Sequence, residues 1–525
     1  MAFTTFRLLQ RLFCFGSTKR FDKTESTLNS NSNNHVPRPS TIPKVTNRVD
    51  CPHTRVQDCP PTRVRERNTT NQRGSAPPIP SIYSITSNHT CVISDEGSLV
   101  TATTAATSQS PSLPPETSVI KTIPSWNDGR PYVLILQADG TIKPPQISFG
   151  DYGSFGGQFV PESMMGFLHD LTSAFEVAVS DPLFWAEYIS LQRPQPTPLT
   201  LASKLTYAVG GATIWFKRED MNEYGTHKTR NIIGQLLLAR RMGRTEIVTD
   251  CAAAKHGNFT ALMCARLGLR CVVVMGADDA YAQKEDVHEM KMLGAKIVTA
   301  RSTSGMGSLR AAITEALRYS VCNHETVYYL MGGPVGPSPL PTVTRTFQAL
   351  LGEEVAVQMH RATGCQPDVV VAAVGSGCGA VGLFRPFLHR STVRLVGVEG
   401  VHAAALTEGS LGVLQGSRTL MLQNEDGQIN DSYSISPDLN LSTVGPEVAY
   451  WKSMGRVEIR TATDADALDG FQSLLNHEGI LTGLDSSHAV KTVLSLAREL
   501  GPGKNVVLMV TGSDSIGVRE RMLDV

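Results

Sequence analysis

The stretch KREDMNEYGTHKTRN, residues 217–231, decides how this chain is read. A β-rich run at 212–217 enters it, and Gly225 lies in its polar middle. Ile232, Ile233, Leu236, Leu237 and Leu238 follow at helical spacing. The pattern is strand, loop, helix, with His227 and Lys228 at the helix start. A lysine there is costly for structure alone, because the free N–H groups of a helix start already carry partial positive charge. An anion shared between those groups and the cationic side chain would offset that cost.

Farther on, an apolar run at 369–374 leads into Gly375, Ser376, Gly377, Cys378 and Gly379, and then into AVGLF at 380–384. Such a glycine-rich turn opening a helix can cradle a phosphate with backbone donors. Each signal is weak alone, since a lone lysine at a helix start is more often simply solvated. Together they point to a lysine that bonds pyridoxal phosphate (PLP), a cofactor that acts as an electron sink.

Composition narrows the alternatives. Lys+Arg and Asp+Glu both number 48, so no overall field draws the chain to nucleic acid or to an anionic membrane. No apolar run is long enough to span a bilayer. The ten cysteines form no CxxC pairs, and Cys264, Cys271 and Cys322 sit in apolar contexts. That usage suits a reduced intracellular enzyme with no disulfide scaffold and no metal site.

Residues 1–125 are rich in Ser, Thr, Asn and Pro and read as a disordered tail. Arg7, Arg11, Lys19 and Arg20 precede any acid until Asp22, the form of a mitochondrial presequence and equally of a chance basic tail. The expected location is cytoplasmic, with mitochondrial import as the alternative. Cys51 and Cys59 show no metal-ligand set, and the sequons at Asn68 and Asn88 mean little without a secretory signal. Order is expected from about residue 126, where PYVLILQADGTIKP reads as a strand, a turn at Asp139 and Gly140, and a second strand.

From residue 212 strands and helices alternate. Strands are expected at 212–217, 246–250, 271–275, 296–300, 326–330, 369–374, 394–398, 457–461 and 506–510. Helices are expected at 164–178, 231–242, 256–267, 283–293, 308–319, 342–360, 380–389, 465–476 and 487–500. Near-continuous apolar strands belong to parallel sheets covered on both faces, so the fold class is α/β, three-layered, with open, mostly parallel sheets. Ligands in such sheets sit beyond the strand C-terminal ends. Lys228, Asp250, Gly375, Glu399 and Thr511-Gly512 all fall there. Five points converge on one cleft.

The motifs GSFGGQFVPE (153–162), KRED (217–220), His227-Lys228 with Asn231, Gly234 and Gln235, VGPEVAYW (444–451), EGI (478–480), LDSSHA (484–489) and TGS (511–513) resemble the tryptophan synthase β-subunit family of fold-type-II PLP enzymes. The likeness covers roughly residues 145–520. It implies two lobes, with a mobile subdomain at about 243–335, and a β-replacement on serine that uses indole as nucleophile. Lys228 would hold PLP and take the substrate's α-proton. His227, Asn231 and the turn from Gly375 to Gly379 would bind the cofactor, Thr511 would face its ring nitrogen, and Asp485 would lie over its face. Asp250 would relay protons at the leaving hydroxyl and the indole nitrogen. The resemblance also implies a homodimer, and it leaves room for a monovalent cation and for a separate α-subunit.

Departures from the family are concentrated where substrate is read. Asp250 replaces a glutamate. The substrate-carboxylate loop is Cys251, Ala252, Ala253, Ala254, Lys255 and His256, with two glycines become alanines and a lysine in place of a neutral amide, so that Lys255 either clamps a carboxylate or points to water. Cys378 and Gly379 replace a serine and an asparagine, and Ala282 and Glu458 stand where the family closes its cleft with an Arg–Asp pair. The lysine and the turn are intact, which favours an active enzyme over a non-catalytic PLP-retaining partner protein. A different nucleophile, or elimination without replacement, is the nearer alternative.

Overall fold

Strands that are apolar on both faces need cover on both faces, and the two main sheets of this chain have it. The computed structural model describes residues 152–512 except 193–195, 303 and 306, together with the backbone of four short strands before residue 136. Those strands are Cys91–Ile93 (β1), Leu99–Thr101 (β2), Ile120–Pro124 (β3) and Pro131–Ile135 (β4). They form two separate antiparallel pairs, β1 with β2 and β3 with β4. The strand expected in PYVLILQADGTIKP is therefore present as β4, but it pairs with the segment before it. The turn at Asp139 and Gly140 lies outside the described residues, as do the presequence-like stretch, Cys51, Cys59, both sequons and Ser513.

The remaining strands are Leu199–Leu201 (β5), Thr213–Arg218 (β6), Glu246–Cys251 (β7), Arg270–Gly276 (β8), Lys296–Ala300 (β9), Val327–Leu330 (β10), Val369–Ala373 (β11), Arg394–Gly400 (β12), Ser410–Leu414 (β13), Ser417–Met421 (β14), Val457–Ala462 (β15) and Asn505–Val510 (β16). A four-stranded parallel sheet runs β10-β7-β8-β9. A six-stranded sheet runs β15-β12-β11-β16-β6-β5 and is parallel except for the edge strand β5. Each of the nine strands expected between residues 212 and 510 has its counterpart. The hairpin β13–β14 turns at Gln415 (φ 53°) and Gly416 (φ 85°), the left-handed pair a two-residue hairpin turn requires.

Layering follows from strand alternation. On β11 and β16, Val369, Val371, Val506, Leu508 and Val510 face one core with Val490, Val493 and Leu496 of the helix Leu484–Leu500. Val370, Ala372, Val507 and Met509 face the other, with Val381 and Phe384 of the helix Cys378–Phe384. A third core surrounds the smaller sheet and takes in Leu236, Phe259 and Ile313 from three separate helices. The 342–360 segment forms two helices, Leu340–Gln348 and Leu350–Thr363, running end to end through Ala349, which keeps helical dihedrals.

Beneath the site lies a buried charge network. Glu354 accepts from Lys217 Nζ (2.5 Å) and from Arg230 (2.9 Å), and Arg230 also pairs with Glu219. Burial works to raise the Glu354 carboxyl, but Arg230 and Lys217 outweigh it and hold the group below its ordinary value. This network locks the loop ahead of Lys228 to the helix Leu350–Thr363.

Candidate active site

Lys228 is the residue just before the helix Thr229–Arg241 and is buried, as is His227. The glycine turn faces them: a Cβ on Gly379 would lie 3.7 Å from the His227 ring and 2.3 Å from Met509 Cε. Gly377 has φ of +95°, and a Cβ on Gly375 would stand 2.0 Å from the Asp438 carbonyl oxygen. Side chains are thus excluded at the turn's three glycines, by a positive φ at Gly377 and by close neighbours at Gly375 and Gly379. His227 Nε2 is buried without a partner, and burial followed by the Lys228 charge pulls the imidazole down to about 3, so it stays neutral. A neutral ring with an unpartnered nitrogen beside a turn kept open at its glycines can bond a phosphate oxygen when Nε2 carries the proton. The residues present therefore fit PLP, with Lys228 to bond it and His227 and the turn to hold its phosphate.

The turn's own polar atoms are partly engaged. Ser376 accepts at its carbonyl from Gly445 N (2.9 Å), and its hydroxyl lies against Gly333. Cys378 Sγ accepts from Gln348 Nε2 (3.0 Å), and burial pushes its thiol up to about 11, an unreactive neutral state at neutral pH.

Asp250, at the end of β7, accepts from Tyr329 Oη (3.0 Å) and from Gly332 N (3.1 Å). Burial raises its carboxyl, while those two donors and Lys228 oppose the rise. A Cβ on Gly332 would be 3.0 Å from both Asp250 Oδ2 and His256 Nε2, which places the two groups side by side. His256 Nε2 also meets Thr249 Oγ1 (2.9 Å), its Nδ1 has no partner, and burial pulls the ring down to about 3.

Asn231 donates to the Met331 carbonyl (2.9 Å) and accepts from Gln235 (2.7 Å). It fixes the residue next to Gly332, whose N–H supports Asp250. Thr511 and Asp485 bond each other, the hydroxyl donating to Oδ1 at 2.5 Å, with Ser486 at 2.8 Å. Burial raises the Asp485 carboxyl, and the charge of Asp438 adds to it. Glu399 accepts from Leu406 N (2.8 Å) and from Thr407, so it anchors the chain after β12.

The loop of Cys251, Ala252, Ala253 and Ala254 is buried and stapled by one side chain. Gln283 accepts from Ala254 N (2.8 Å) and donates to Ala252 O (2.8 Å). Lys255 turns to Asp286, 3.5 Å away on the helix Lys284–Met292. At the places of the family's closing pair, Ala282 ends the helix Ala277–Ala282, while Glu458 is held by Arg394 (2.9 Å) and Arg460 (2.7 Å). A different contact joins the regions of the two sheets: Arg310 and Ser304, on the side of the smaller one, reach Asp431 in the loop after the hairpin.

The sequence reading missed Asp438. It lies on the single turn Pro437–Leu439, and its Oδ1 is 2.7 Å from Lys228 Nζ. No periodicity or glycine pattern marks it; the one hint is an acid after a proline in an otherwise neutral loop, SISPDLNLS. Among the described residues, no group of three or more His, Cys, Asp or Glu could hold a metal ion, and no helix is long and apolar enough to cross a membrane.

The profile of the pyridoxal-phosphate dependent enzymes matches residues 191–512. The chain is 44% identical over 390 residues to the tryptophan synthase of Saccharomyces cerevisiae, covering 72% of this chain and 54% of that protein. It thus spans about half the length of the yeast relative. It is also 44% identical over 374 residues to the tryptophan synthase beta chain of Allorhizobium ampelinum, covering 69% of this chain and 92% of that one. With the lysine, the turn and the acid already assembled around one point, these likenesses decide the assignment: the chain belongs to the pyridoxal-phosphate-dependent enzymes and, within them, to the tryptophan synthase β-chain family.

Proposed function

We propose that the chain makes L-tryptophan from L-serine and indole, releasing water. The observation that carries this reading is the meeting of Lys228, the glycine turn and Asp250 beyond the strand ends of both sheets. Bound PLP supplies an electron sink for the bond broken at the serine α-carbon. Lys228, once its amine is free, accepts the α-proton. Asp250, backed by Tyr329 and Gly332, moves protons at the departing hydroxyl oxygen and at the indole nitrogen. His227 and His256 stay neutral and donate or accept without bringing charge into the cleft. The alanine loop stapled by Gln283 shapes the side that receives the serine carboxylate.

Serine and an indole-type nucleophile are the proposed small-molecule partners, and a homodimer is the proposed assembly. An α-type partner that delivers indole fits the same reading. Purified chain with PLP should form tryptophan only when serine and indole are both present. Pyruvate from serine, with no tryptophan on adding indole, would replace this reading with simple elimination.

A further inference from the structure

Asp438 belongs to none of the motifs above, yet it is the ion-pair partner of Lys228, with Oδ1 2.7 Å from Nζ. Its position is set by backbone packing. Its carbonyl oxygen lies where a Cβ on Gly375 would be, Leu439 beside it is buried, and Leu439 N donates to Ser436 O (3.1 Å). The carboxylate is 24% exposed and the lysine side chain 10%, so the pair sits at the cleft wall with water at one side. His227 and His256 face it as neutral rings. The Cys251 and Cys378 thiols are pushed up by burial, and Asp250, Asp279 and Asp485 are raised by burial as well. Burial also opposes the charge on Lys228, but Asp438 outweighs it and lifts the amine above the ordinary lysine value.

We propose that Asp438 is the counter-ion of the free Lys228 amine, a positioning residue that sets the pH at which this lysine can bond the cofactor. The inference rests on the reading of Lys228 as the PLP lysine. To bond the aldehyde carbon, the ammonium must first release one proton to solvent. Its lone pair then forms the N–C bond, and the two remaining hydrogens leave with the aldehyde oxygen as water. Asp438 opposes the first event, because an opposite charge in contact favours the charged form of the amine. It also receives the amine whenever substrate has displaced it, which keeps Nζ at one place in the cleft.

The test uses full-length chain stripped of PLP and then mixed with it, following the absorbance of lysine-bound cofactor from neutral to alkaline pH. In Asp438→Asn the midpoint of capture should fall by about one pH unit and capture at neutral pH should quicken by about tenfold. An unchanged profile in a variant with wild-type circular dichroism overturns the proposal. A second measurement needs no variant: reductive methylation of the PLP-free wild type across pH, read by peptide mass spectrometry. Lys228 should methylate with a midpoint above that of the exposed Lys204. Burial alone would put it below, and a midpoint equal to or below Lys204 overturns the proposal. A chain that captures no PLP at any pH refutes the cofactor reading of Lys228, while the methylation midpoint still judges Asp438.

Discussion

Tyr329 on β10 and Asp250 on β7 meet across two neighbouring parallel strands, the phenol donating to Oδ1 at 3.0 Å. Both are buried, so this one bond helps decide whether a shortened acid keeps its charge. Burial raises the Asp250 carboxyl, and Tyr329 and Gly332 pull it back. Tyr329→Phe keeps the ring and removes the hydroxyl, which raises the carboxyl further. A group needed as the anion is lost as pH falls through its folded value, so the acid limb of kcat should move to higher pH by about one unit. The pH–rate profile of tryptophan formation checks this, and an unmoved limb would take Asp250 out of the proton path.

Lys228→Ala should abolish both the absorbance of bound cofactor and all turnover while the fold survives. The side chain removed pairs with a partly exposed acid that water can solvate. Residual multiple turnover in that variant contradicts the assignment of the lysine.

Gly375→Ala would put a Cβ 2.0 Å from the Asp438 carbonyl oxygen, and backbone on both sides leaves little room to yield. Overpacking of this kind costs about 1–3 kcal/mol, equivalent to a weakening of PLP binding by about ten- to a hundredfold when the strain falls on the turn. Titration of PLP-free protein by fluorescence gives the number.

Glu354→Ala would leave two cations, Lys217 and Arg230, without a shared partner in the interior. Breaking a buried pair from one side costs about 3–5 kcal/mol. The Glu354 carboxyl is held below its ordinary value. Its contribution is therefore present above that ordinary value and is lost as pH falls through the folded one. Urea denaturation of wild type and variant at neutral and acidic pH should show the gap narrowing in acid.

Lys255→Ala should leave the KM for serine within about threefold and stability within about 1 kcal/mol, because its amine is engaged by Asp286 in a partly exposed pair. A much larger rise in KM would mean that the lysine swings to clamp the substrate carboxylate.

Regular elements were legible because their signals are local. Val369 to Ala372 read as strand from composition, and Lys228 and the glycine turn stood out by chemistry that a plain helix start does not need. The helix Pro182–Leu191 was missed although Asp181 caps it and Pro182 opens it, the usual signs of a helix start; its apolar surround of Phe184, Trp185 and Tyr188 hid the period. The β13–β14 hairpin escaped because Gln415 is an unusual residue for a left-handed turn. The Lys228–Asp438 and Tyr329–Asp250 pairings could not be read from the sequence. Both depend on residues 210 and 79 positions apart, the first pair brought together by a loop packed against the strand ends and the second by the pairing of β10 with β7.

The larger sheet has a further consequence for how the chain is made. β16, which follows the other five strands of this sheet in the sequence, lies in its interior between β11 and β6. Until it pairs, those two strands keep bare edges that can stick to other chains. Loss of β16 alone would therefore split the sheet in two, a cost far beyond what its six residues suggest.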